Sequence, residues 1–238
     1  MRFAIGLAAA LLLAIPAASA AEAPWDRANA LFLATVTDMQ KNGGDGVASR
    51  VPALEAALAE GAGVFPPQVD EEGKLTLLVD GGAEAAMVQG LAPAEDIKSI
   101  VTAPNPYPQI GLMLAFYYND AGRPEDALRV AAAAMGMSPM ANLHAGARLS
   151  ALLSESAAAY VALRRWPESL EMAQGALEVS QTDPDRARSL RRIGFALVEL
   201  GRLDDAEAAY RDCLKLEPDN KLAQDEIAAI ARLRAAPR

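Results

Sequence analysis

The sequence predicts an all-α fold: an α-solenoid of stacked helix–turn–helix units, preceded by a smaller helical or α+β segment. Three observations predict it. Apolar and small side chains recur at helical spacing through most of the second half of the chain. The same order of small residues, an aromatic residue and a proline returns in that half, as it does in stacked repeats. Turn sequences with glycine or arginine, "GRPEDAL", "RRWPESL" and "GRLDDAE", separate the two helices of each unit.

The last unit, residues 187–220, shows the pattern most clearly. Its first helix carries small and apolar residues on one face, a turn follows, and a second helix runs to a proline. Gly194 and Ala206 are small because two helices approach closely there, and Tyr210 fills the space beyond them. The marked positions are Ile193, Gly194, Leu197, Gly201, Ala206, Tyr210, Cys213 and Pro218.

Two earlier stretches repeat this register. Residues 108–141 hold a close copy, and residues 150–183 a weaker copy that has lost the proline and whose first helix is lengthened, from about Met140 to Leu163. The pattern resembles the tetratricopeptide repeat, a helix–turn–helix unit of about 34 residues. The resemblance covers roughly half of the mature chain. Residues 221–234 are predicted to form a capping helix with a polar outer face, which a stacked array needs at its end.

The start of the chain has the features of a bacterial signal peptide. Arg2 precedes about a dozen apolar residues, and "ASA" ends at residue 20. A membrane span needs about 20 apolar residues, so cleavage after Ala20 is expected rather than stable membrane insertion. The mature chain is therefore expected in the periplasm or outside the cell.

Residues 21–107 show no further copy of the repeat. Two helices are predicted in the first part, and "FPPQVDEEGKLTLLVDGG" is consistent with a small hairpin. "GAEAAMVQGLA" could be a short helix, and "TAPNPYP" a stiff junction into the repeats. The segment could be a cap packed on the first repeat or an appendage with its own role.

The resemblance implies a concave groove lined by the first helix of each unit. The face that would be exposed in this groove has a cationic end, two phenylalanines and small residues between them. Exposed aromatic residues in a concavity commonly anchor a peptide, although both phenylalanines could instead be buried under neighbouring segments. The candidate groove residues are Gln109, Leu112, Phe116, Asn119, Ser154, Ala158, Arg188, Arg191, Arg192 and Phe195.

The arginines invite a comparison within the family. Some tetratricopeptide domains of cytosolic co-chaperones hold a partner's C-terminal carboxylate with Lys, Asn and Arg side chains. Arg188 and Arg192 match the basic pair of the last unit in such domains. The other positions do not match, because Leu112 and Phe116 stand in place of Lys and Asn, and Glu155 in place of Asn. A protein or peptide partner with acidic and apolar residues is therefore expected, its carboxylates reaching the arginines. The alternative is that the arginines only solvate the surface.

No catalytic constellation is evident. His144 is the only histidine and Cys213, in a packing position, the only cysteine, so neither a zinc site nor a cofactor site is predicted. A net charge of −9 argues against general binding of nucleic acid. We therefore expect a non-enzymatic scaffold or adaptor of the bacterial cell envelope. Two rivals remain: an enzyme with its site in residues 61–105, and a protein that binds a cell-wall polymer.

Overall fold

The computed structural model describes residues 22–65, 67–79, 82–90, 95–137 and 147–235. The predicted signal peptide, most of the loop before the middle unit, and His144 lie outside them. The described residues form α1 (Pro24–Asn42), α2 (Gly44–Ala48), α3 (Val51–Gly63), β1 (Lys74–Val79), α4 (Gly82–Gln89), β2 (Ser99–Pro104), α5 (Tyr107–Asp120), α6 (Pro124–Met135), α7 (Ala147–Ala162), α8 (Trp166–Val179), α9 (Asp183–Glu199), α10 (Leu203–Leu216) and α11 (Lys221–Ala235).

The second half of the chain is a stack of helix pairs. Within each pair the helices pack on one another, α5 with α6, α7 with α8, and α9 with α10. Each new pair contacts the one before it through its first helix, and α11 packs on α10. The predicted all-α array of helix–turn–helix units is therefore confirmed. Where the lengthened first helix of the middle unit was expected to begin, near Met140, the chain lies outside the described residues, and α7 ends at Ala162.

The three turns within the pairs share one hydrogen-bonding pattern. In each, a backbone N–H reaches back five residues to a carbonyl of the first helix: Arg123 to Tyr118, Arg165 to Tyr160 and Arg202 to Leu197, at 2.8–2.9 Å. This closure of a helix needs one residue with a positive φ just beyond its end. That residue is Gly122, Arg164 or Gly201, with φ of 69°, 56° and 72°.

Small residues stand where helices come closest. A methyl group added at Gly194 would lie 2.7–2.9 Å from the ring atoms of Tyr210, and one at Gly111 would lie 2.2 Å from the Cβ of Ala134. Ala206 is fully buried in the same pair. The predicted close approach at Gly194 is therefore confirmed; Gly111 is a further such position, which the sequence analysis did not mark.

The N-terminal helices pack on the first repeat. Gly61 of α3 lies against the ring of Tyr107, where an added methyl group would be 2.5–2.8 Å away. Glu55 of α3 accepts a hydrogen bond from the Tyr118 hydroxyl at 2.7 Å and pairs with Arg129 at 2.6 Å. One apolar core extends from these helices into α5, α6 and α7. Of the two arrangements considered for this segment, the structure has the packed one.

The strands of the N-terminal segment pair differently from the expected hairpin. The turn after Asp70 brings only one antiparallel bridge, between Val69 and Leu75. The main pairing of β1 is parallel, with β2, in a register that runs from Lys74 opposite Ser99 to Val79 opposite Pro104. The helix α4 lies between them in the chain, because parallel strands need a crossover connection. The start of the predicted proline-rich junction thus belongs to β2.

Candidate partner-binding face of the repeat array

The first helices of successive pairs contact each other and are joined by side-chain hydrogen bonds. At the start of α5, the surroundings assign the Gln109 amide the orientation in which its oxygen faces the guanidinium of Arg148 on α7, 2.8 Å away, and its nitrogen faces the Asn105 carbonyl, 2.7 Å away. Near the end of α5, Asn119 reaches α7 as well. The side of α5, α7 and α9 on which the ten groove residues were predicted to lie is called the first-helix face below. Of the ten, Ser154 is buried rather than exposed, and Arg191 turns toward α10.

A polar row crosses this face from α5 to α9 and consists of Asn119, Ser154, Glu155 and Arg192. The Asn119 amide donates to Glu155 twice, to its carbonyl at 3.0 Å and to its Oε2 at 2.9 Å. Arg192 donates to Ser154 Oγ at 2.8 Å and lies 3.4 Å from Glu155 Oε1. Glu155 therefore links all three first helices. A carboxylate inside the face already occupies the position where a ligand carboxylate would meet Arg192.

Burial dominates the electrostatics of Arg192. Loss of hydration lowers the pKa of its guanidinium, the charge of Glu155 opposes this, and the positive charges of Arg188 and Arg191 lower it further. The group stays protonated, since arginine titrates far above neutral pH. A partly buried cation of this kind needs its carboxylate neighbour.

The other two arginines point to different carboxylates. Arg188 pairs with Asp185 of its own helix at 3.0 Å, and its side chain is 41% exposed. Arg191 turns toward α10, where it pairs with Glu217 at 2.7 Å and lies 3.9 Å from Cys213 Sγ. The structure thus brings Asn119, Ser154 and Arg192 together and does not form a three-arginine fork.

The apolar members of the face differ in exposure. Phe116 is 64% exposed, the largest value among the exposed large apolar side chains of the described residues. Phe195 is half-buried and packs edge-on against Trp166, with ring centroids 6.2 Å apart. Leu112 and Ala158 are half-buried. The alternative of burial under neighbouring segments therefore does not apply to Phe116.

Sequence reasoning did not assign two residues that shape this face: Glu155 on α7, and Trp166 of α8, which packs on Phe195. Glu155, which holds the polar row together, was considered only as a departure from a family pattern, and Trp166 only as a repeat position. The signal for Glu155 was available in its relation to Arg192: Glu155 lies five residues before Tyr160 and Arg192 five residues before Leu197, and the carbonyls of Tyr160 and Leu197 close equivalent turns. Asn119 lies at a different register position. Opposite or complementary polar groups at one register position in successive units indicate neighbours in a stacked array.

Within the part of the chain that the structure describes, no cluster of three or more His, Cys, Asp or Glu side chains could hold a metal ion. Cys213 is buried in its packing position, and burial raises the pKa of its thiol, with Arg191 acting in the opposite direction. A thiol with a raised pKa is a poor nucleophile at neutral pH. No described helix has the length and apolar character of a membrane span.

The stacked pairs and their joined first helices define a helical-repeat protein. More specifically, residues 148–217, which contain all of α8 to α10 and nearly all of α7, match the tetratricopeptide repeat family. The heat shock protein STI1 of Saccharomyces cerevisiae is 29% identical over 85 residues, which are 36% of this chain and 14% of that protein. The chain thus matches only a small part of that relative's length.

Two solved structures are also similar. The Sgt2 TPR domain from Aspergillus fumigatus is 22% identical, with a TM-score of 0.48 over 57% of this chain and 88% of that one. The second TPR domain of human RPAP3, solved in complex with the HSP70 peptide SGPTIEEVD, is 23% identical, with a TM-score of 0.42 over 52% of this chain and 98% of that one.

Proposed function

We propose that this chain is a non-enzymatic protein-interaction scaffold of the bacterial cell envelope, which binds a segment of another protein on its first-helix face. The family match over residues 148–217 supports an interaction module. A fold alone does not define a function, so the proposal rests on the side chains of the first-helix face.

The observation that carries the proposal is the exposure of Phe116. Phe116 is 64% exposed on α5, and no other described residue covers it, so its ring is free to contact an apolar group of a partner. Full burial of such a side chain contributes about 1.5–3 kcal/mol, so covering its exposed part is worth about 1–2 kcal/mol. That corresponds to roughly a tenfold effect on a dissociation constant, or somewhat more. An apolar side chain of the partner is the expected contact.

The polar row would orient the partner beside this anchor. Asn119 lies three residues after Phe116 on the same helix, so the two side chains share a face. Acidic groups of the partner would reach Arg188 first, since Arg192 and Arg191 already have well-placed carboxylates on other helices. Exposed ion pairs contribute about 0–1 kcal/mol, less than the apolar anchor. The acidic part of the proposed partner is therefore secondary to the apolar part.

A capture experiment with matched variants tests the proposal. The mature chain is crosslinked in the envelope of its own cells as parent, as Phe116→Ser and as Leu33→Ser, which removes a 55%-exposed leucine on α1. A partner recovered with the parent and with Leu33→Ser, but about tenfold less with Phe116→Ser, supports the proposed face. Both substitutions are at exposed positions and should leave the melting temperature unchanged. Equal recovery with all three chains would remove Phe116 from the interface.

We also propose that the chain is exported and that residues 1–20 are removed. The supporting observation is the charged, apolar and small-residue order of that stretch. Mass spectrometry of the protein from fractionated cells checks this. An N-terminus at Ala21 in the envelope fraction is the expected result, and an intact Met1 in the cytosol contradicts it.

A further inference from the structure

A cleft of about 320 Å³ lies in the N-terminal segment, and none of the described residues that line it belongs to the first-helix face. The cleft is bounded by the start of α1, the end of α3, the loop that precedes β1, and one face of β1. Lys74, Thr76 and Leu78 line it together, because alternate residues of a strand point to the same face. Its volume is at the lower end of the range for ligand sites, so it suits a ligand the size of one or two rings.

Three polar side chains of this cleft make no hydrogen bond with any residue that the structure describes. They are the indole N–H of Trp25, the amide of Gln68 and the hydroxyl of Thr76. Trp25 and Thr76 are half-buried, so the fold has partly removed them from water without pairing them with another described group. Polar groups in that state are usually paired in folded proteins. Together the three offer donors and acceptors, and no charge, to a molecule in the cleft.

Two opposite charges in the cleft stand slightly apart. Asp70 Oδ1 accepts hydrogen bonds from the backbone N–H groups of Glu72 at 3.0 Å and of Lys74 at 2.9 Å, which fix the carboxylate. Its Oδ2 lies 3.9 Å from Lys74 Nζ, too far for a direct hydrogen bond, and both side chains are 44% exposed. A hydroxyl oxygen can lie about 2.8 Å from both atoms, where it accepts from the ammonium and donates to the carboxylate. A ligand carboxylate cannot donate to Asp70 and a ligand ammonium cannot accept from Lys74, so the pair favours a hydroxyl.

Apolar surface lies beside these polar groups. The Trp25 ring and Leu78 line the same cleft, and a tryptophan combines a large apolar body with one polar N–H. A sugar ring has the matching character, since its faces carry C–H groups and its rim carries hydroxyls. The charges of Asp70 and Lys74 cancel, so neither an anion nor a cation is favoured. We propose that this cleft binds one ring of an uncharged sugar, with one face against Trp25 and a hydroxyl between Asp70 and Lys74.

Tryptophan fluorescence of the mature chain tests this site. The chain has two tryptophans, so Trp166→Phe leaves Trp25 as the only one and makes the emission a report on the cleft. Maltose and chitobiose are the uncharged probes. At least one of them should change the emission saturably, with a dissociation constant of about 1 mM, since a bound ring has about a dozen non-hydrogen atoms. Thr76→Val, which keeps the side-chain shape and removes the hydroxyl, should weaken this binding about three- to tenfold.

Filling the cleft is the complementary test. A methyl group at Gly63 would meet no atom within 4 Å, so Gly63→Leu occupies the cleft without pressing on the fold and should abolish sugar binding. Gly44→Leu, at an equally open glycine on α2 outside the cleft, is the matched control and should leave binding unchanged. An emission that neither sugar changes overturns the proposal, as does binding that Gly63→Leu leaves intact. A stronger response to free alanine than to the sugars would also overturn it, because Asp70 and Lys74 would then act as separate charges. Phe116→Ser should leave sugar binding unchanged, so this proposal and the partner-binding proposal can fail separately.

Discussion

Replacing Gly194 by alanine tests whether close helix approach holds each repeat together. Alanine is a better helix former than glycine by about 0.5–1 kcal/mol, so an unhindered site would gain stability. At Gly194, however, the new methyl group would lie 2.7–2.9 Å from three ring atoms of Tyr210. That ring is fully buried, and its surroundings leave it little room to move. Overpacking of this kind costs about 1–3 kcal/mol, which exceeds the helix gain.

The expected net loss is about 0.5–2 kcal/mol, or a fall in melting temperature of about 1–8 °C for a chain of this size. Gly175→Ala is the matched control. Gly175 lies inside α8, and an added methyl group would meet only Leu153 Cδ1, at an ordinary contact distance of 3.7 Å. That variant should therefore melt about 1–4 °C higher than the parent. Thermal unfolding followed by circular dichroism measures both. If Gly194→Ala also melted higher, the close approach would not be what requires glycine there.

Three further predictions concern the same array. Glu155→Gln should lower the free energy of unfolding by about 1–3 kcal/mol in denaturant titrations, because Arg192 loses its charged neighbour. An unchanged midpoint would show that the hydrogen bond to Ser154 alone is enough to stabilise Arg192. Arg164→Gly should raise the melting temperature by about 1–3 °C, since glycine adopts the positive φ of that turn without strain; a lower value would mean that the Arg164 side chain contributes more than the backbone cost. Hydrogen bonds from Arg129 and Tyr118 lower the pKa of Glu55 in the fold, so its contribution is present above the unfolded pKa and lost as pH falls through the folded one. Glu55→Gln should therefore lose less stability than the parent on acidification below about pH 4.5, measured by urea unfolding at each pH.

The repeat array was predictable because its determinants are local. A small residue where two helices touch, a positive-φ residue in the turn and a large residue beyond it all lie within one unit, and three units in register make the pattern visible. Gly194 with Tyr210 is such a case: the fifteen residues between them include the turn, so helical spacing alone brings them to the same interface.

The strand pairing was not predictable on the same basis. Lys74 and Ser99 face each other across 25 residues, and nothing in either strand fixes a parallel partner. The apolar run of β1 suited a hairpin strand as well as a crossover strand, and the turn after Asp70 does form one bridge. Parallel pairing depends on a crossover connection, and the helix in that connection, α4, is short. The sequence of α4 allowed a helix as only one of two interpretations. Long-range pairing therefore had to come from the structure.

The candidate site was predictable in its positions and not in its contacts. Helical spacing placed Phe116 and Arg192 on first helices, but spacing does not say which carboxylate a long side chain reaches. Arg191 and Arg192 are adjacent in sequence, and they diverge by about 100° around the helix, to Glu217 and Glu155 respectively. Such partners lie in other helices, so an arginine cluster in a repeat is not by itself a cationic surface.

The polar row also bears on how the first-helix face could recognise a partner. Glu155 fixes both Asn119 and Arg192 before any partner arrives, so their side-chain entropy is already lost in the free protein. A partner that donates to Glu155 would add a charge-assisted hydrogen bond and leave the polar row intact. A partner that brings a carboxylate to Arg192 would have to displace Glu155 from it. Since displacement leaves a partly buried carboxylate without its cation, the row disfavours an acidic group at that point of the face. Acidic residues of a bound segment would then lie toward Arg188, at the start of α9, and the segment's apolar residue toward Phe116. This ordering gives the bound segment a direction across the array, from α9 to α5.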